Sequence, residues 1–220
     1  MTTLQLADNI FPLLKLKDSV GMALQLMNDY KTSHLPVVSE EKFLGLISEE
    51  DLADEQNKNT SLDVYQTNFI TAAVNEKFNF LKAASIHNLY HTNVIPVINE
   101  NNELLGTISA KALITEMGNF CGSSEFGAVV VLDIERSRFA ISEINSIIES
   151  DGATILHLNV NPHPVPAFLE VTIQINKKEI ATIVATFEKY DYMVSYYSGE
   201  ELFQNELNLN YNNLMNYLGI

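Results

Sequence analysis

Cysteine is nearly missing from this chain: Cys121 is the one thiol in 220 residues. It has no internal partner for a disulfide, which fits a reducing compartment and leaves packing as its ordinary role. Long apolar runs are missing too. No stretch approaches the roughly 18 consecutive apolar residues of a membrane span, and the opening "MTTLQLADNI" carries Asp8 and no basic region of the kind that begins a secretory leader. The expectation is a soluble, cytoplasmic protein. Positive charge is scarce: 13 Lys and Arg face 28 Asp and Glu, and both arginines, Arg136 and Arg138, sit close together. The net charge of −15 at pH 7 repels polyanions, so nucleic acid and anionic membranes are poor partners. Motifs that carry chemistry are lacking as well: there is no Walker loop, no "GxGxxG", no "GxSxG" and no pair of cysteines. No nucleophile, acid and base are suggested by their spacing, so no catalytic residue is assigned and a non-enzyme is expected.

What is present is repetition. With 46% apolar residues the chain can build two small cores. "HLPVVSEEKFLGLISEEDL", from His34, has a near double in "NVIPVINENNELLGTISAKAL", from Asn93. Pro36 matches Pro96 sixty positions on, while Gly45, Ser48 and Leu52 match Gly106, Ser109 and Leu113 at sixty-one; the extra residue falls where a hairpin loop absorbs it. Upstream, Val20, Ala23, Leu24 and Met27 follow the spacing of a half-buried helix, and Phe80, Ala83, Ala84 and His87 repeat it. Each copy thus reads as helix, strand, hairpin, strand, helix start. The prolines suit the first residues of strands. Gly45 and Gly106 permit either close approach of a neighbour or a bulge. Ser48 and Ser109 stand where an N-cap belongs.

The pattern of helix, "PVV", short turn and "GLISEEDL" resembles the CBS domain, and two in tandem resemble a Bateman module, over about residues 8–116. The resemblance implies two copies packed through their sheets, with clefts that commonly take adenine nucleotides or related adenosyl ligands. It also implies that Ser of the turn meets phosphate, Asp holds the ribose hydroxyls, and a basic residue ahead of the first strand meets phosphate. Carried onto this sequence, the ligand-binding set is Asp51, Ser48, His34, Leu35 and Pro36 from the first copy, with Ile95, Pro96 and Ser109 from the second. The second copy has Ala112 in place of the Asp and Val94 in place of the basic residue, so at most one good nucleoside site is expected, centred on Asp51. Asp51 also lies in the first turn of a helix with Glu49 and Glu50, where capping alone explains a carboxylate. The acidic cluster disfavours bare polyphosphate and favours AMP or an uncharged or cationic adenosyl compound.

The polar stretch 53–68 reads as a helix end and surface loop, and the Gly- and Ser-rich 118–126 as the linker between a CBS pair, 1–117, and a second half, 127–198. In that half "AVVVLDI" is a strand; Ile141, Ile144 and Ile148 mark a helix; "TILHLNV" places Leu156, Leu158 and Val160 on one strand face. "FLEVTIQI", a helix through Ile180, Ile183, Val184 and Phe187, and "YMVSYY" complete βαββαβ, a ferredoxin-like plait. The fold class is therefore α+β. This half resembles an ACT domain, and the domain order resembles the acetoin utilisation protein B group. In ACT domains that bind amino acids a glycine follows the first strand; Phe139 stands there instead, so dimer packing is the main reading and an atypical ligand near Arg136 and Arg138 the lesser one. The tail, 199–220, has Leu207, Tyr211, Leu214, Met215 and Leu218 at helical spacing. His87 and His91 could share a helix face, but no third ligand is evident and no metal is expected.

The expected function is a regulatory homodimer that senses an adenosyl small molecule (AMP, ADP, ATP or S-adenosylmethionine), requires no cofactor, and couples occupancy to the ACT-like half or to a partner protein. The alternative is a constitutive assembly or adaptor protein.

Overall fold

The computed structural model describes residues 1–123, 125 and 127–198. The expected C-terminal helix falls outside the described residues. The chain divides into two compact units, with the boundary along the sequence between Met117 and Gly118.

The first unit contains both repeats. It opens with α1 (Thr3–Leu6), then β1 (Leu14–Lys15), α2 (Val20–Tyr30), β2 (His34–Ser39), β3 (Lys42–Ser48) and α3 (Glu49–Ala53). A 3-10 helix, Leu62–Asn68, leads to β4 (Val74–Asn75), α4 (Leu81–Tyr90), β5 (Val94–Ile98), β6 (Leu104–Ser109) and α5 (Ala110–Phe120). Each copy forms a three-stranded sheet, β1-β2-β3 and β4-β5-β6, with a parallel pair followed by an antiparallel hairpin. Leu14 pairs with Val37 and Val74 with Val97, the same register sixty residues apart. The strands β1 and β4 have two residues each, too few for an alternation to show in sequence.

The segment that precedes each copy completes the other copy. Ahead of the first repeat, Thr3 donates its amide to the Phe78 carbonyl at 2.8 Å and its hydroxyl to that of Asn75 at 2.6 Å, and Asp8 and Thr107 exchange backbone bonds of 2.8 and 2.9 Å. Ahead of the second, Leu62 donates to the Asp18 carbonyl, and Ile70 and Leu46 exchange bonds, all at 2.9 Å. These approaches explain the paired glycines: an added Cβ would sit 2.6 Å from the Phe69 Cβ at Gly45 and 2.9 Å from the Asp8 carbonyl oxygen at Gly106. A bulge accompanies each, because the register skips Leu44 and Leu105. Both readings of those glycines hold together.

Val20, Ala23 and Met27 on α2 pack with Leu35, Val37, Ile47 and Leu52, and Phe80 and Ala83 pack with Ile95, Val97, Ile108 and Leu113 in the second copy. The polar stretch after α3 is more than surface loop: Leu62 is fully buried in the first core, with Tyr65 and Phe69 packed against it.

The second unit holds β7 (Ala128–Glu135), a 3-10 turn at Arg136–Arg138, α6 (Ile141–Ser150), β8 (Ile155–Pro162), β9 (Phe168–Ile175), α7 (Ala181–Lys189) and β10 (Met193–Ser198). This is the expected βαββαβ order, in an antiparallel sheet β10-β7-β9-β8. Val130, Leu132, Ile134, Val171, Ile173 and Ile175 face Ile144, Ile147, Ile148, Ile183, Val184 and Phe187 in one core. Two expectations fail in detail. Ile141 is 53% exposed and Ile147 is buried instead, and Val160 is 38% exposed on the edge strand β8, of which Ile155 and Leu158 pack against the core. No described helix is long and apolar enough to cross a membrane.

Candidate ligand site in the first repeat

The site begins at the junction of β3 and α3. Ser48 is the N-cap, its hydroxyl accepting from the Asp51 amide at 3.1 Å; the Asp51 carboxylate returns the contact, accepting from the Ser48 amide at 3.2 Å and from its hydroxyl. This is a capping box with Asp as the third residue. The other carboxylate oxygen accepts from the Asn68 side-chain amide at 3.0 Å. A carboxylate offers about four lone-pair directions, and these three donors leave one for a ligand. Burial pushes the Asp51 carboxyl up, but the hydrogen bonds from Ser48 and Asn68, with attraction to His34, outweigh it and hold the group below the usual carboxylate range.

His34 starts β2 and is only 8% exposed, with Nδ1 at 2.8 Å from the Ser33 hydroxyl. Burial lowers its proton affinity, and the Asp51 charge opposes that only in part, so the net effect favours the neutral imidazole. The second repeat contributes Tyr90 and His91 from the end of α4, where His91 takes the left-handed conformation that closes the helix (φ 51°). Together Ser33, His34, Ser48, Glu50, Asp51, Asn68, Ile70, Tyr90 and His91 line a cavity of about 480 Å³, within the range of small-molecule sites. Neither Lys nor Arg is in this lining, and Glu50 and Asp51 make it acidic.

The structure therefore brings Asp51, Ser48 and His34 together. The side chains of Leu35 and Ile95 are fully buried in the two cores and do not line the cavity. Pro36 and Pro96 are buried within their hairpins, paired with Leu46 and Thr107. Ser109 caps α5, accepting from the Ala112 amide at 3.1 Å, on the other repeat's counterpart of the site. At that counterpart Ala112 replaces Asp51 and Val94 replaces His34. Since Leu46 and Ile70 pair as Thr107 and Asp8 do, Leu6 takes the place of Asn68. Leu6 and Ala112 pack against the second core, so the three polar positions of the first cleft are apolar in the second. Sequence reasoning did not find Asn68, Tyr90 and His91, because each reaches the cavity from a distant segment.

His87 does not share a site with His91: its Nδ1 lies 2.7 Å from the Thr92 carbonyl oxygen, and no group of three metal-capable side chains occurs among the described residues. In the second unit Arg136 donates to the Pro166 carbonyl at 2.8 Å, and Arg138 to those of Tyr190 and Asp191 at 3.1 and 3.4 Å, so each guanidinium is tied to backbone oxygens through part of its donor set. Phe139 packs against the core. Beside Arg138 a smaller cavity of about 200 Å³ is lined by Asp133, Glu135, Phe168, Asp191 and Tyr192. Burial, with a hydrogen bond to Glu143, pushes the Tyr192 phenol up to about 12.

The chain is similar to several known proteins. Residues 10–58 match the CBS domain family model. An inosine-5'-monophosphate dehydrogenase from Korarchaeum cryptofilum is 24% identical over 78% of this chain, and the match spans 36% of that enzyme's length. Among solved structures, a CBS domain pair/ACT domain protein from Thermotoga maritima is similar over 55% of this chain and 98% of its own, with 22% identity and a TM-score of 0.49. An acetoin utilization protein from Vibrio cholerae is similar over 56% of this chain and 95% of its own, with 19% identity and a TM-score of 0.46.

Proposed function

We propose that this chain, a pair of CBS-type repeats followed by an ACT-like plait, is a non-catalytic cytoplasmic regulator whose first repeat takes an adenosine-containing ligand, AMP-like in charge. The observation that carries the reading is the convergence of the Asp51 carboxylate, Asn68, Ser48 and His34 on one cavity from which Lys and Arg are missing. The free lone pair on Asp51 suits a ribose hydroxyl. Asn68 offers its carboxamide oxygen to the second hydroxyl, and Tyr90 and Ile70 offer flat and apolar surface to a base. A chain of phosphates would meet Glu50 without a compensating cation, which favours one phosphate or none.

Occupancy acts by population shift: the ligand must bind one arrangement of the two repeats more tightly, since equal affinity for both would transmit nothing. The cavity suits that role because its walls come from both repeats and from the segment joining them. Readout passes to the ACT-like half of a homodimer or to a protein partner. Calorimetric titration with adenosine, AMP, ADP, ATP with and without magnesium, and S-adenosylmethionine tests this. Saturable binding near one ligand per chain supports the sensor, and silence across the series removes it.

The second reading, a constitutive assembly or adaptor protein, draws support from one fact. The capping box and Asn68 already account for three of Asp51's contacts without any ligand.

A further inference from the structure

Ser33 and Asn93 occupy the same position in the two repeats, sixty residues apart, and their side chains meet: the Ser33 hydroxyl lies 3.4 Å from the side-chain oxygen of Asn93. Thr32 lies beside them, its hydroxyl oxygen 2.8 Å from the same Asn93 oxygen and 2.9 Å from the His34 carbonyl oxygen. A hydroxyl has one proton, and with the amide oxygen turned this way two acceptors compete for the proton of Thr32. The other repeat shows where that proton goes. Thr92 donates to the Val94 carbonyl at 2.8 Å and accepts from the Val94 amide at 3.2 Å, the same local turn made by Thr32 and His34.

With the Thr32 proton directed to His34, the network is better satisfied by the reverse orientation of the Asn93 amide, which exchanges its near-isosteric ends and turns its two N–H groups to the two hydroxyl oxygens. Ser33, as acceptor from Asn93, directs its own proton to His34 Nδ1, 2.8 Å away. The imidazole proton is then on Nε2. We propose that Asn93 of the second repeat, acting through Ser33, holds His34 as the neutral Nε2–H tautomer, so that the cavity is offered a hydrogen-bond donor and not a cation. Asn93 and Ser33 are positioning residues. The opposite amide orientation would reverse the chain, placing the proton on Nδ1 and leaving Nε2 an acceptor. Use of this donor in recognition rests on the ligand reading above; the tautomer itself does not. It selects for an uncharged acceptor on the ligand, such as a ring nitrogen or a ribose or carbonyl oxygen.

The test is a long-range proton–nitrogen correlation spectrum of the full chain, uniformly labelled, with the His34 signals identified by their loss in His34→Gln. The expected pattern at neutral pH is a pyrrole-type Nε2 and a pyridine-type Nδ1; a pyrrole-type Nδ1 overturns the assignment. Asn93→Asp can only accept from Ser33 and should move the proton to Nδ1, and an unchanged tautomer in that variant also overturns it. Ser33→Ala should release the imidazole to a mixture of tautomers, and Ser33→Thr, which keeps the hydroxyl, should restore the parent pattern. In parallel, adenosine affinity should fall about ten-fold in Asn93→Asp, the worth of one hydrogen bond. If the parent shows the expected tautomer but binds no adenosyl compound, the ligand reading fails and the assignment of the imidazole stands.

Discussion

Asp51 can be a helix cap, a ligand group, or both, and a double-mutant cycle with Ser48 separates these roles. Asp51→Ala removes three accepted hydrogen bonds: two complete the capping box and one ties Asn68 to the start of α3. Loss of a cap costs about 1 kcal/mol, and loss of the half-exposed Asn68 link adds roughly 0.5 kcal/mol, so the total is about 1.5 kcal/mol. Ser48→Ala removes the cap from the other side and should cost about 1 kcal/mol. Because the two side chains serve one motif, the double variant should fall short of the sum, with a coupling of about 0.5–1 kcal/mol. Urea denaturation reads each cost, and each kcal/mol corresponds to roughly 3–6 °C in melting temperature for a unit of this size. The same variants then go to calorimetry with the best adenosyl ligand. A cap alone predicts that Asp51→Ala keeps its affinity, whereas a ribose-binding carboxylate predicts loss of detectable binding. Full affinity in Asp51→Ala, with stability lost as computed, would refute the site.

Further predictions follow from the packing and the buried imidazole. Gly45→Ala should destabilise the first unit by about 1–3 kcal/mol, because the new methyl meets the Phe69 Cβ at 2.6 Å; a neutral result in urea melts would show that the neighbouring segment yields. Phe187→Ala empties a fully buried site in the plait and should cost about 3–5 kcal/mol, read as lost hydrogen-exchange protection of β7 and β9 amides. His34 has a lowered proton affinity in the folded chain, so the unfolded chain takes up the proton first as pH falls. Its contribution is fully present above about pH 6.5, the unperturbed value, and stability declines as pH drops from there toward the lower folded value. His34→Gln should flatten that part of the pH profile in urea melts, and an unchanged profile would count against it. Ala112→Asp should not create a second adenosyl site, since Leu6 and Val94 still replace Asn68 and His34; a stoichiometry of two per chain would contradict this.

Much of this architecture was legible because the chain states it twice. Pro36 with Pro96 and Gly45 with Gly106 located both hairpins, and strict alternation from Leu169 to Ile175 located a central strand of the plait. The strands β1 and β4 escaped because two residues have no period. Leu62 escaped because a single apolar residue in a polar stretch is normally surface, and here the stretch folds back onto Leu16 and Asp18. Ser48, Asp51 and His34 were legible as a set because turn chemistry and repeat position both mark them. Leu35 and Ile95 fit the same motif but alternate inward along their strands, so their side chains belong to the cores. Asn68, Tyr90 and His91 carry no local signal at all, since an Asn in a polar stretch and a Tyr–His at a helix end acquire meaning only after the repeats have packed.

The exchange of leading segments between the repeats has a consequence for how the chain is made. A ribosome delivers α1 before either repeat, yet Asp8 cannot find Thr107 until 99 further residues have appeared. The first repeat emerges whole in sequence but bare, its β3 edge open at Leu46 until Ile70 arrives. During synthesis an unpaired leading segment and an uncovered strand edge therefore coexist, which is the kind of surface that chaperones hold or that mispairs with another nascent copy. Neither repeat can be finished before most of the other exists, so the smallest stretch of this half that can mature on the ribosome is the pair.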